Sequence, residues 1–144
     1  HECKCTETQI QNYRKKLSGP LFDRIDMNIV VEKVSNEELR VPISTKNHEH
    51  DVVKNTITEA ISRQRVRYGR DGVYNSSLSS FEVSQKLKLE PAAEKLLAQA
   101  SEQLNLSARS YFKTIKVAQT IADLAGADKI SAQHLAEALT YRKR

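Results

Sequence analysis

The sequence has no tryptophan, three phenylalanines and one methionine, and its 144 residues include only four glycines, three prolines and two cysteines. Each shortage removes a class of protein. No apolar run is long enough to cross a bilayer and no signal-peptide pattern is present, so the chain is expected to be soluble and cytoplasmic, without a membrane partner. Two cysteines with no secretory segment point to a reducing compartment rather than a disulfide framework. A Walker-type phosphate loop needs GxxxxGK[ST], whose glycines let backbone N–H groups wrap a phosphate. Gly19, Gly69, Gly72 and Gly126 are each followed by a residue other than lysine, so no such loop lies within this chain. There is no internal repeat. The first residue is His1 rather than an initiator methionine, and the chain is expected to be a piece of a larger protein.

What is present is helical periodicity and positive charge. The formal net charge is +5 and the isoelectric point about 9.3, which permits an acidic partner such as nucleic acid without demanding one. Thr6 followed by Gln9 has capping-box spacing and predicts a helix from near Glu7, ended by Gly19-Pro20. Met27 to Val34 is a short β-branched stretch that reads as a strand. Ser35 to Asn47 reads as a connection. A long helix fits from about Asp51 to Tyr68, with Val53, Ile57, Ala60 or Ile61, Gln64 and Tyr68 facing inward. Shorter helices follow over Phe81–Leu87, from Pro91, from Ser107 to Gly126, and from Ser131, the last with Ala132, Leu135, Ala136 and Leu139 turned inward. The expected fold is mainly α, a small helical bundle preceded by an N-terminal helix, a loop and a short strand.

The helix from Ser107 to Gly126 is the one around which the others should pack. Its apolar residues recur at three- and four-residue steps from Ala108 to Ala125, leaving Arg109, Lys113, Lys116, Thr120 and Asp123 on the polar stripe. Arg109 is out of place there, because the first turn of a helix disfavours a cation. Free N–H groups and a guanidinium at one helix start suit a phosphate, while a solvated arginine on an exposed stripe suits the same spacing. Arg24, in the tripeptide Asp23-Arg24-Ile25 and just ahead of Asp26, is open to two readings as well: a salt bridge to Asp23 or Asp26, or a fork that neutralises phosphoryl oxygens. Arg63, Arg67 and Arg70 repeat at helical spacing beside Arg65, either as a solvated face or as nucleic-acid contacts. Against a nucleic-acid role, only Tyr68 and Tyr74 interleave with them, and no helix-turn-helix signature stands out. Cys3 and Cys5 are weak metal candidates, since zinc wants four ligands. His48 and His50 lack a companion ligand set.

The stretch LSARSYFKTIKVAQTIADLAG (Leu106–Gly126), followed by ISAQHLAEALTYR, resembles the end of the magnesium-chelatase-like AAA+ ATPases of the ComM/YifB group. YRKKLSGPLFDRIDM (Tyr13–Met27) resembles the same proteins further upstream, in the same order. The resemblance implies that residues 1–47 are the C-terminal edge of an ATPase core carrying the finger loop, and residues 48–144 the helical lid. It implies that Arg109 is the sensor-2 residue touching nucleotide phosphate and Arg24 the arginine finger, acting in trans on a neighbour's ATP. The implied cofactors are ATP and Mg²⁺ in the parent protein, with none bound by this chain alone. The implied partners are the remainder of the AAA+ core, neighbouring subunits of a homo-oligomeric ring, and DNA, which ComM-like proteins branch-migrate during transformation. A chelatase-type remodeller of another protein, and a stand-alone basic helical module that binds nucleic acid, are the alternatives. The family usually has arginine where this chain has Gln119, which puts a second basic contact on that helix in doubt.

Overall fold

The structure, a computed structural model, describes residues 4–16, 24–35, 40 and 48–142. Six α-helices are formed among them: α1 Glu7–Lys16, α2 His48–Tyr68, α3 Ser80–Lys86, α4 Pro91–Gln103, α5 Ala108–Leu124 and α6 Ala132–Thr140. A 3-10 turn, Asn75–Ser77, lies between α2 and α3. The chain is a helical bundle, as its periodicity predicts. The helix stop at Gly19-Pro20, the connection around Pro42, and the basic end at Lys143 and Arg144 lie outside the described residues.

Helix ends form where short polar side chains meet backbone donors. The Thr6 amide donates to Gln9 Oε1 at 2.9 Å and the Gln9 amide to Thr6 Oγ1 at 3.4 Å, the reciprocal pair of a capping box. Ser107 Oγ accepts from the Ser110 amide at 3.2 Å, and Ser131 caps α6 through the His134 amide. At the far end of α5, Gly126 has φ +75°. There its N–H donates to the Asp123 carbonyl and that of Ala127 to the Ala122 carbonyl, the two bonds of a Schellman turn.

The core lies where α6 packs against both α5 and α4 and α3 packs against α5, around Val83, Ala93, Leu97, Ile115, Ala118, Leu135 and Ala138. Ile130 and Leu135 are both fully buried, so the predicted staple at the start of α6 is formed. A parallel bridge between Leu89 and Ile130 ties the start of α4 to the start of α6, with the Glu90 amide donating to the Ile130 carbonyl at 2.9 Å. The inward face of α6 is centred on Leu135 and Ala138; Ala136, expected inside, is exposed.

Two expectations are corrected. No strand forms among the described residues: 27–34 carries no helix or strand, and Val30 is 92% exposed. Its β-branched residues have no neighbouring strand with which to pair, and a ladder needs two. The inward face of α2 begins later than predicted. Val53 is 56% exposed and Ile57 is exposed as well, whereas Ala60 and Gln64 are buried. The N-terminal half of this helix projects beyond the bundle, so its apolar residues find no second layer.

The α3 cap gives an acid-sensitive contact. The Ser79 amide and hydroxyl both donate to Glu82 Oε2 at 2.9 Å, and Lys86 Nζ lies 3.2 Å from Oε1. These bonds, the Ser79 backbone first, hold the Glu82 carboxyl at about 2, below its ordinary 4.5. A depressed carboxyl stabilises the fold above its unfolded value and stops doing so as pH falls through its folded value. The stability difference between the wild type and Glu82→Gln should therefore be largest near neutrality and vanish below about pH 2. Urea midpoints of both proteins across that range check it; a gap independent of pH would deny the carboxylate its capping role.

Candidate functional site

The polar stripe of α5 forms one wall of a cavity of about 780 Å³. Arg109, Lys113 and Lys116 line it, above an apolar floor of Phe112, Val117, Ile121 and Leu124. The opposite side is made by Arg24, Asp26 and Met27, with Glu137 and Tyr141 from the end of α6. Arg24 and Arg109, far apart in sequence, thus line the same space.

The surrounding contacts explain which charges remain available. Lys113 Nζ donates to the Ile25 carbonyl at 2.9 Å and lies 3.4 Å from Asp26 Oδ1. Lys116 Nζ donates to the Ser76 carbonyl at 3.1 Å. Asn28, four residues past Arg24, donates its amide to the Tyr141 carbonyl at 2.7 Å. Glu137 accepts from the Tyr141 hydroxyl at 3.2 Å, which raises the phenol pKa. Arg24 and Arg109 are exposed, and among the described residues neither has a hydrogen-bond or ion-pair partner. Asp23, one of the two carboxylates considered for Arg24, lies outside the described residues; the other, Asp26, faces Lys113. Two forks with unsatisfied donors beside an open cavity suit an anion that accepts from both, a phosphate above all. The same cavity offers no nest of carboxylates for a divalent cation, and no group of three His, Cys, Asp or Glu side chains that could hold a metal exists among the described residues. Among the described residues, then, the cavity presents guanidinium groups that suit an anion and no cluster of three metal-ligating side chains. Cys5 is exposed; Cys3 lies outside the described residues.

The arginines of α2 are placed differently. Arg67 is held bidentately by Asp123, at 3.0 and 2.5 Å, with its own side chain only 16% exposed. That hydrogen bonding raises the guanidinium pKa against the opposing effect of burial. Arg63 lies 3.0 Å from Asp128 and Arg65 2.6 Å from Asp71, both exposed pairs that contribute little to stability. Arg70 is exposed. The stripe is thus largely turned toward carboxylates of its own chain.

Asp123, expected on the polar stripe, is the centre of a buried network. Besides Arg67 it accepts from Asn75 Nδ2 at 2.9 Å and from Gln119 Nε2 at 3.1 Å. Asn75 also donates to Thr120 Oγ1 at 3.0 Å, accepts from the Tyr68 hydroxyl, and gives its amide N–H to Gln64 Oε1 at 2.8 Å. The network joins α2, the 3-10 turn and α5. One signal was available in the sequence: Gln119 and Asp123 stand one helical turn apart. Nothing local marked Asn75, which reads as an ordinary turn residue.

Residues 47–142 match the family described as "Magnesium chelatase, subunit ChlI C-terminal", and residues 1–39 match "Magnesium chelatase, subunit ChlI". The chain belongs to the magnesium chelatase ChlI family. Among its ChlI-like relatives, the competence protein ComM of Haemophilus influenzae is 35% identical over 135 residues, which is 93% of this chain and 26% of that protein. The protein YifB of Escherichia coli is 34% identical over 139 residues, 96% of this chain and 27% of its own length. The chain spans about a quarter of the length of the curated relatives it matches. The matched segment 1–39 carries Arg24 and the matched segment 47–142 carries Arg109. No helix among the described residues is long and apolar enough to cross a membrane.

Proposed function

We propose that this chain is the finger-and-lid part of a ring-forming AAA+ ATPase, with residues 1–47 at the edge of the ATPase core and 48–144 forming the lid. ATP, with Mg²⁺ held elsewhere in the parent, is the nucleotide, and neighbouring copies of the parent are the partners. In this reading the ring remodels DNA, the task that the family resemblance implies. The observation that carries the reading is the presence of Arg24 and Arg109, both without partners among the described residues, at one cavity. Their place on one cavity supports a reading in which both address the same triphosphate. If Arg24 reaches a neighbour's ATP, Arg109 goes with it, and the lid closes on the neighbour's nucleotide instead of its own. The arginines supply fixed positive charge where negative charge spreads over the phosphoryl oxygens. Nucleic-acid contact through Arg63, Arg67 and Arg70 draws less support, since Arg63 and Arg67 face Asp128 and Asp123.

The 144-residue chain alone should not hydrolyse ATP, having neither a phosphate loop nor a metal-holding acid set. The full-length protein should assemble in a nucleotide-dependent way, and Arg109→Ala should weaken that dependence. Sedimentation with and without ATP measures it; assembly with unaltered nucleotide dependence would remove Arg109 from the phosphate.

A further inference from the structure

Arg24 stands in a stretch without secondary structure of its own, yet a finger is useful only when held still. Among the described residues, three contacts hold this stretch. Two come from Lys113, to the Ile25 carbonyl and the Asp26 carboxylate, and the third is the Asn28–Tyr141 backbone bond. The Lys113 side chain is 15% exposed while that of Asp26 is 64% exposed, so the lysine stem is packed and its ammonium is held at a solvent-facing edge, where a charge-assisted bond to a carbonyl adds to a modest ion pair. Lys113 also stands one helical turn after Arg109 on α5. One side chain therefore connects the segment that carries the first arginine to the turn that carries the second.

We propose that Lys113 is a positioning residue that latches the Arg24 segment to α5, so that Arg24 and Arg109 are presented together to one phosphate. The proposal rests on the nucleotide reading above, and a readout that needs no nucleotide separates the two. In the 144-residue chain, Lys113→Met should abolish amide-exchange protection at Asn28 while leaving Ile115 to Ala122 protected. In the full-length ring, the same variant should lower kcat by about 10-fold to 100-fold with little change in KM, because charge misplaced at the transition state costs rate rather than ground-state binding. Lys113→Arg, which retains a cation with donors, should recover part of both.

Asp26→Asn distinguishes a latch from a direct phosphate contact. Removing a negative charge beside the cavity would help a lysine that touched phosphate, so turnover would rise. For a latch turnover falls, and the double variant Lys113→Met/Asp26→Asn is no worse than Lys113→Met alone. Asn28 protection that survives Lys113→Met overturns the latch. So does released protection with unchanged turnover, provided Arg24→Ala is itself impaired. If Arg24→Ala and Arg109→Ala are as active as wild type, the nucleotide reading has failed, and with it the presentation role of Lys113.

Discussion

Arg24→Ala should reduce ATP turnover by the assembled ring by about 10³-fold or more, the scale on which a finger arginine acts at a phosphoryl-transfer transition state. Nucleotide binding by a separated subunit should stay nearly intact, since a finger contacts a neighbour's phosphate. Mixed rings give the sharper measurement. Subunits carrying Arg24→Ala, combined with subunits dead in the phosphate loop, should regain activity wherever the two adjoin in the right order. The shared cavity adds a second expectation. Mixing Arg24→Ala with Arg109→Ala should restore no intact site, because every interface then lacks one arginine or the other. Recovery in that second mixture would place the two arginines on different nucleotides, and absence of recovery in the first would place Arg24 within its own subunit's site.

Asp123→Ala should cost about 3–5 kcal/mol of folding stability, the range for removing one partner of a buried ion pair. The carboxylate is 1% exposed and accepts from Arg67, Asn75 and Gln119 together. Its loss leaves a largely buried guanidinium and the Gln119 amide without their acceptor and Asn75 Nδ2 with Thr120 Oγ1 alone, and cutting a cavity adds little by comparison. Gln119 Oε1 is already buried without a partner, an acceptor that faces none of the network's donors as they stand. Against a typical domain stability of 5–15 kcal/mol, such a change removes a large share. Urea unfolding of the two proteins measures it. The double variant Arg67→Met/Asp123→Leu should recover only part, because Asn75 and Gln119 still lose their acceptor. A loss under about 1 kcal/mol would mean that the network is hydrated in solution.

Much of the bundle was legible in the sequence because helix formation is local. Ser107 and Gly126 bound α5, Thr6 with Gln9 starts α1, and Ser131 with Ile130 and Leu135 starts α6; each of these devices acts within one or two turns of chain. Family membership was legible too, since the two stretches that carry it are contiguous. The burial of Asp123 was not. On the helix it follows Lys116 and Thr120 along the polar stripe and looks solvated, and only the arrival of Arg67 and Asn75 from other elements makes burial affordable for a charge. Likewise Met27 to Val34 has strand composition, but a strand exists only when a second one pairs with it. The convergence of Arg24 and Arg109 on one cavity also belongs to the tertiary structure alone. It depends on Lys113 and Tyr141 holding a segment more than eighty positions away. Local chemistry determined which residues make helices and which arginines to watch; packing between distant segments decided which charges are neutralised and which are left to face a ligand.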